Sequence, residues 1–212
     1  MSKQDKIKLI IAAIINMIIF VLEVFCLIVF IKHLVDGNED NRFRYYTNIS
    51  NLFVGLVALI NAIILLKAVV KGKLIYSKAL SIIKFSGLSM ICLTFFTVLF
   101  IIAPITSFQL MYSDVKFITH LVTPILAVIS YLFLEEKEIF NWKLSLIGIV
   151  PTLIYAIVYI INVVFLTTWP DLYRINTYGL WFIFSPLEVL FGFGLSQGLY
   201  FLKKALIKKS NK

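Results

Sequence analysis

The residues most able to do chemistry begin in the stretch RFRYYTNISNLF, residues 42–53, where a charged segment passes into an apolar run. Thr47, Ser50 and Asn51 lie at positions i, i+3 and i+4, a spacing that puts all three on one face of a helix. A hydroxyl group can act as a nucleophile, and amides and hydroxyls can donate hydrogen bonds to an oxyanion. The stretch therefore carries parts of a candidate hydrolytic site at the mouth of a membrane helix.

A second stretch, FITHLVTPILAVISYLF, places a histidine near the start of another apolar run. His120 could serve as the general base for Thr47, and a hydrogen-bonded structural histidine is the alternative. Thr123 and Pro124 follow one turn later, and a proline inside a helix often bends it and opens space beside the site. A threonine nucleophile is hindered by its own methyl group, so the spacing alone does not select Thr47.

The composition is that of an integral membrane protein. The 212 residues are 61% hydrophobic and 15% charged, with a mean hydropathy of +0.97, so a soluble domain could not cover itself with charge. The net charge of +9 comes from lysines at the ends of apolar runs, which is typical of membrane topology and not of nucleic-acid binding. We expect one domain over residues 1–212 and no nucleic-acid partner. Since no Cys/His spacing fits zinc, we expect no metal and no cofactor.

Six apolar runs are long enough to cross the hydrocarbon as helices. They cover residues 8–31, 47–66, 80–103, 117–134, 144–166 and 178–202. Connections are short, so successive helices should be antiparallel neighbours. Fifteen of the 20 Lys and Arg residues lie at one set of helix ends, which predicts that both termini lie in the cytoplasm. The predicted fold is an all-α bundle of six transmembrane helices.

Polar side chains at helical spacing mark the faces that turn toward the interior of the bundle. Beside Ser50 and Asn51, the candidate pocket residues are Thr123, Tyr159, Asn162, Ser185, Glu188 and Glu23. Counted at about 1.5 Å per residue from the predicted helix ends, most of them fall in the outer half. The cytoplasmic half is expected to hold fewer polar side chains. We therefore expect a pocket that opens toward the outer leaflet.

The two glutamates inside the runs admit more than one interpretation, because an ionised carboxylate within a bilayer is costly. Glu23 and Glu188 could each tie helices together through hydrogen bonds. Either could instead orient a histidine or bind a cation. The sequence leaves this choice open.

The segments YYTNISNL and HLVTP, in a chain with six apolar runs, resemble the androgen-induced / androgen-dependent TFPI-regulating protein family of transmembrane threonine hydrolases. The resemblance implies hydrolysis of fatty acid esters of hydroxy fatty acids, with Thr47 as nucleophile and His120 as base. It covers the whole chain in topology and is specific only over these two segments. The chain departs from the family's pattern at Ser130-Tyr131, where an acidic–aromatic pair is expected, and loosely in WPDLYR before the last run.

Together these features predict an intramembrane hydrolase that acts on a membrane lipid or amphiphilic ester. A composition rich in Lys, Ile and Asn favours a bacterial plasma membrane. The alternative is a non-enzymatic transporter, or a lipid- or small-ligand-binding protein, with a polar interior around Glu188 and Glu23. Since Thr47 and His120 enter from the same side, we expect them to face one cavity with Asn51 or Tyr159 at its wall.

Overall fold

The chain forms a helical bundle in a computed structural model that describes residues 1–37, 42–74, 77–135 and 142–210. Within these ranges, six helices are long and apolar enough to cross a membrane: α1 (Lys3–Val35), α2 (Tyr46–Lys71), α3 (Lys78–Ile105), α4 (Asp114–Leu134), α5 (Leu146–Phe165) and α6 (Trp181–Lys209). This confirms the all-α six-helix bundle of an integral membrane protein. With an even number of spans, α1 begins and α6 ends at one end of the bundle, named here the terminal face. The other end is named the opposite face.

Side-chain and glycine caps set several helix ends. The Ser2 hydroxyl accepts a hydrogen bond from the Asp5 amide at 3.1 Å, and the Asp5 carboxylate accepts one from the Ser2 amide at 3.3 Å. Helix α2 ends at Gly72, whose φ of +69° lies in the left-handed region that glycine adopts without strain. Ser77 begins α3 by accepting from the Leu80 amide at 3.2 Å. Helices α1, α2 and α3 extend beyond the apolar runs that predicted them, whereas α5 lies within its run.

Small residues let α1 and α2 pack closely. Ala12, Ala13 and Ala68 belong to one buried cluster on these two helices. At Gly55, a Cβ atom would lie 2.8 Å from the Cβ atom of Glu23. Without an apolar driving force between helices in lipid, such close contact supplies much of the packing energy.

Helix α3 is the central helix of the bundle. Its residues 85–94 are all buried, and Phe85 has no exposed surface. The N-terminal part of α5 reaches α3 and α6 at Gly148, where a Cβ atom would lie 2.7 Å from Phe85 and 2.8 Å from the Ser196 hydroxyl. A glycine is therefore needed where these three helices meet.

Helix α4 contains a π-helical segment, Ile118–Val122, in which His120 lies. The Thr123 amide bonds the Ile118 carbonyl five residues back, and the next residue, Pro124, has no amide hydrogen. π-Helical turns inside α-helices are frequent at functional sites. The sequence predicted a bend at Pro124. The structure has a wider, π-helical turn there, and this turn contains His120.

We predict that the terminal face is cytoplasmic, because most Lys and Arg residues lie at that end. A cysteine introduced by Asp36→Cys should react with a membrane-impermeant maleimide in intact cells. One introduced by Ser2→Cys should react only after permeabilisation. The native Cys26 and Cys92 are buried and provide the unreactive background. Labelling of the Ser2→Cys variant in intact cells would reverse the orientation.

Candidate functional site

A cavity lies between α2, α3, α5 and α6 and is covered by residues of the connection before α6. Its free volume is about 40 Å³, which is space for roughly three water molecules. The polar residues that line it are Tyr46, Thr47, Thr94, Thr97, Thr152, Tyr155, Tyr159, Tyr173, Ser185 and Glu188. Four residues selected from the sequence, Thr47, Tyr159, Ser185 and Glu188, thus line one cavity.

The polar side chains at the start of α2 form hydrogen bonds mainly with main-chain carbonyls. The Ser50 hydroxyl and the Asn51 amide donate to the Thr47 carbonyl at 2.9 and 2.8 Å. The Ser50 hydroxyl also lies 3.2 Å from the hydroxyl of Thr94. Ser50 and Asn51 are buried and lie outside the cavity lining. Their spacing is helical as predicted, but their hydrogens are committed within the protein.

Asn51 also joins α2 to α4 beside the candidate base. Its amide nitrogen donates to the Thr119 carbonyl at 3.2 Å as well as to the Thr47 carbonyl at 2.8 Å. Both oxygen atoms bond the same nitrogen, so they are at most 6.0 Å apart. The main chains at Thr47 and next to His120 are therefore neighbours.

His120 is buried, with 8% of its surface exposed. Its Nδ1 atom lies 2.7 Å from the Met111 carbonyl. Because a carbonyl only accepts, Nδ1 carries the hydrogen, and in the neutral ring Nε2 is left as the acceptor. His120 is not among the described residues that line the cavity, so the expectation that it shares one cavity with Thr47 is not met.

Glu23 and Thr123 form a helix tie away from the cavity lining. The Thr123 hydroxyl donates to the Glu23 carboxyl at 2.5 Å, and the two side chains are 0% and 4% exposed. This contact joins α1 to α4. Of the interpretations left open by the sequence, helix tying is the one that this hydrogen bond fits.

Asn162 lies at the end of α5 and outside the cavity lining. Its amide donates to the Val158 carbonyl at 2.8 Å, and its side-chain oxygen accepts from the Thr168 hydroxyl at 2.8 Å. The side chain therefore holds the turn that leaves α5.

Asp171 organises the connection between α5 and α6. One carboxylate oxygen accepts from the Ile175 amide at 3.0 Å and from the Tyr159 hydroxyl at 3.2 Å. The other accepts from the Asn176 amide at 2.9 Å. Ile175 and Tyr159 both line the cavity, so this carboxylate holds the connection over it.

Tyr173 fixes the same connection to the start of α2. Its hydroxyl accepts from the Tyr46 amide at 2.7 Å, and its own amide donates to the Tyr159 hydroxyl at 3.1 Å. Burial raises the pKa of the Tyr173 phenol, so the hydroxyl stays neutral near pH 7. Sequence reasoning did not select Tyr173 for the pocket, because its role depends on how the connection folds.

A second polar assembly, missed from the sequence, lies toward the terminal face around the carboxylate of Glu135. One oxygen accepts from the Asn16 amide at 3.0 Å and from the Ser130 hydroxyl. The other accepts from the Asn61 amide at 2.8 Å and pairs with the Lys84 ammonium. We call these five residues the terminal-face network.

Lys203 of α6 caps the C-terminal end of α4 beside this network. It is 3% exposed and donates to the carbonyls of Tyr131 at 2.5 Å, Leu132 at 3.2 Å and Glu135 at 3.3 Å. The expectation that the cytoplasmic half holds fewer polar side chains than the outer half did not foresee this assembly. Lys84 lies inside the third apolar run and could have indicated this network from the sequence, because an ionisable group within a span needs a partner.

Comparisons with protein-family models, curated proteins and solved structures found no match to the chain. The family resemblance over YYTNISNL and HLVTP thus stays a prediction. The functional argument must come from the geometry above.

We expect the pair of Glu135 and Lys84 to be essential for stability. Glu135→Gln or Lys84→Met alone leaves one buried charge without its partner, which costs about 3–5 kcal/mol. The double variant should recover much of this loss. Thermal unfolding of the purified protein measures it, with Lys71→Met at an exposed site as control. Single variants within about 1 kcal/mol of the native stability would contradict a buried pair.

We expect Asp171→Ala to loosen the connection over the cavity without unfolding the bundle. It removes charge-assisted hydrogen bonds to the Ile175 and Asn176 amides, each worth about 1.5–3 kcal/mol. Amide hydrogen exchange at these two residues should accelerate by about tenfold or more. Asp36→Ala, at an exposed site on the same face, is the control. Unchanged exchange would mean that other contacts hold the connection.

Proposed function

We propose that the protein is an intramembrane hydrolase of amphiphilic lipid esters, such as fatty acid esters of hydroxy fatty acids, with Thr47 as nucleophile and His120 as general base. The observation that carries the proposal is the hydrogen bond between His120 Nδ1 and the Met111 carbonyl. It orients the imidazole and leaves Nε2 as the acceptor, which is the arrangement of a histidine base. The proposed setting is a bacterial plasma membrane.

The proximity of the two main chains also supports the pair. Asn51 bridges the carbonyls of Thr47 and Thr119, so α2 and α4 meet at the level of both candidate residues. Catalytic hydrogen bonds are often long or unformed before substrate binds. Thr47 lines the cavity, and the proposed reaction requires that His120 comes within hydrogen-bond distance of the Thr47 hydroxyl when the substrate binds.

In the proposed reaction, the Thr47 hydroxyl attacks the ester carbonyl carbon and passes its proton to Nε2 of His120. The tetrahedral intermediate expels the alcohol, which takes that proton, and leaves Thr47 acylated. Water then attacks the acyl group by the same route and releases the fatty acid, restoring both residues.

The donors for the oxyanion differ from those expected from the sequence. Both hydrogens of the Asn51 amide and the hydroxyl hydrogen of Ser50 are committed to main-chain carbonyls. The hydroxyls of Thr97 and Ser185 are buried, have no hydrogen-bond partner within the described chain, and line the cavity with Thr47. These two hydroxyls are the better candidates.

The cavity volume limits where an ester could sit. A cavity of about 40 Å³ suits the polar part of a lipid ester better than its acyl chains. The chains would therefore lie between the helices and the surrounding lipid, which suits an amphiphilic substrate.

The rival function is a non-enzymatic transporter, or a lipid- or small-ligand-binding protein. One observation favours it: Thr47 shares its cavity with Glu188, whereas His120 lies outside the described lining. In that case the cavity binds its ligand without covalent chemistry.

The hydrolase proposal is tested with a fluorophosphonate probe and with hydrolysis of a fatty acid ester of a hydroxy fatty acid by the detergent-solubilised protein. Thr47→Ala and His120→Ala should each lower activity by about a thousandfold or more, because residues that act as a unit are non-additive. Thr47→Ser should keep activity, since it retains the hydroxyl. Ser89→Ala, which removes a buried hydroxyl outside the cavity lining, is the control. Full activity in Thr47→Ala would overturn the mechanism.

A further inference from the structure

Glu188 is the single acidic side chain among the described residues that line the cavity, and the described lining holds no Lys, Arg or His. Within the described part of the chain, no group donates a hydrogen bond to its carboxyl group. It differs in this from Glu23, which bonds Thr123, and from Glu135, which pairs with Lys84. Glu188 is partly buried and lines the cavity, and a carboxyl group left without partners there points to a ligand that supplies them.

Four tyrosines form an aromatic wall around this carboxyl group: Tyr46, Tyr155, Tyr159 and Tyr173. Their ring centroids are 5.0 Å apart for Tyr46 and Tyr155, 5.8 Å for Tyr155 and Tyr159, and 5.2 Å for Tyr159 and Tyr173. The wall is therefore continuous from α2 across α5 to the connection before α6.

The hydroxyls of the wall are engaged away from Glu188. The Tyr46 hydroxyl lies 2.6 Å from the Thr152 hydroxyl, and the Tyr155 hydroxyl donates to the Arg44 carbonyl at 2.6 Å. The hydroxyls of Tyr159 and Tyr173 contact Asp171 and the Tyr46 amide, as described above. The cavity lining is mainly apolar, so what the wall offers a ligand is chiefly ring carbon.

We propose that this cavity binds an ammonium group, primary or methylated, with Glu188 as its counter-ion and the four tyrosine rings as its wall. Aromatic rings attract organic cations through their quadrupole, and the partly buried carboxylate of Glu188 supplies the opposite charge. The unpaired hydroxyls of Ser185 and Thr97 can accept from the N–H groups of a primary ammonium.

A metal ion fits the cavity less well. Calcium takes six to eight oxygen ligands and magnesium demands a near-octahedral set, whereas this lining offers one carboxylate and scattered hydroxyls. No group of three or more His, Cys, Asp or Glu side chains suited to a metal occurs in the described ranges. The volume of about 40 Å³ also suits a small ammonium group.

The ammonium site does not depend on the chemistry of Thr47. If the proposed hydrolase function holds, however, Thr47 lines the same cavity, and the substrate is then an ester that carries an ammonium group close to the cleaved bond. This last step rests on the proposed function, and the binding site does not.

The site is tested by isothermal titration of the purified protein in neutral detergent with methylammonium and with dodecylammonium, and with dodecanol as the uncharged counterpart. Both ammonium compounds should bind, and dodecanol should bind about tenfold more weakly than dodecylammonium or not at all. Tighter binding of dodecylammonium than of methylammonium would identify a lipid as the source of the group. Equal binding would identify a free amine.

Matched variants locate the binding in the cavity. Glu188→Gln keeps the shape, removes the charge and should weaken methylammonium binding by about tenfold or more. Glu23→Gln, at a buried glutamate outside the lining, should leave it unchanged. Tyr155→Phe should retain binding and Tyr155→Leu should lose it, because the ring and not the hydroxyl is required. Binding affinities are compared only among variants whose melting temperature equals that of the native protein.

Two results would overturn the proposal: binding that ignores the charge of the probe, or equal affinity in the native protein and in folded Glu188→Gln and Tyr155→Leu variants. Because binding is measured without turnover, it should persist in Thr47→Ala. Ammonium binding by a native protein that hydrolyses no ester, or by one whose hydrolysis survives Thr47→Ala, would therefore refute the hydrolase proposal alone.

Discussion

Hydrocarbon offers no hydrogen-bond partner, so each polar side chain inside the six spans must be matched by another group of the protein. Three glutamates, Glu23, Glu135 and Glu188, show how differently this requirement is met. Glu135 has an ammonium group, two amides and a hydroxyl around it, and Glu23 has one hydroxyl. Glu188 has no such donor in the described chain. One residue type thus serves as anchor, tie and candidate binding group according to the donors that surround it.

The two ends of the bundle are held by different sets of polar contacts. The terminal-face network joins α1, α2, α3 and α4, and Lys203 adds α6. Toward the opposite face, Thr123 and Glu23 join α4 to α1, and Asn51 joins α2 to α4. The connection held by Asp171 covers the cavity between α2, α3, α5 and α6. The charged network and the cavity thus occupy different ends of the bundle.

Hydropathy was sufficient to predict the six spans, because length and apolar content alone decide which segments can cross a membrane. Helical periodicity was sufficient to select Ser185 and Glu188, since both lie on one inward stripe. It failed for Ser50 and Asn51, because helical spacing does not predict the hydrogen-bond partner of a side chain. Both residues donate to main-chain carbonyls. It also failed for Tyr173, which reaches the cavity through the folding of a connection without periodicity.

The terminal-face network is made of residues that are synthesised at different times. Asn16, Asn61 and Lys84 belong to the first three spans, and their shared acceptor, Glu135, follows the fourth. At roughly 5–20 residues per second, the ribosome delivers these donors to the membrane seconds before their acceptor exists. Until then they must remain hydrated at the interface or be shielded by the insertion machinery. The first three spans are therefore made before the carboxylate that pairs with the Lys84 ammonium exists.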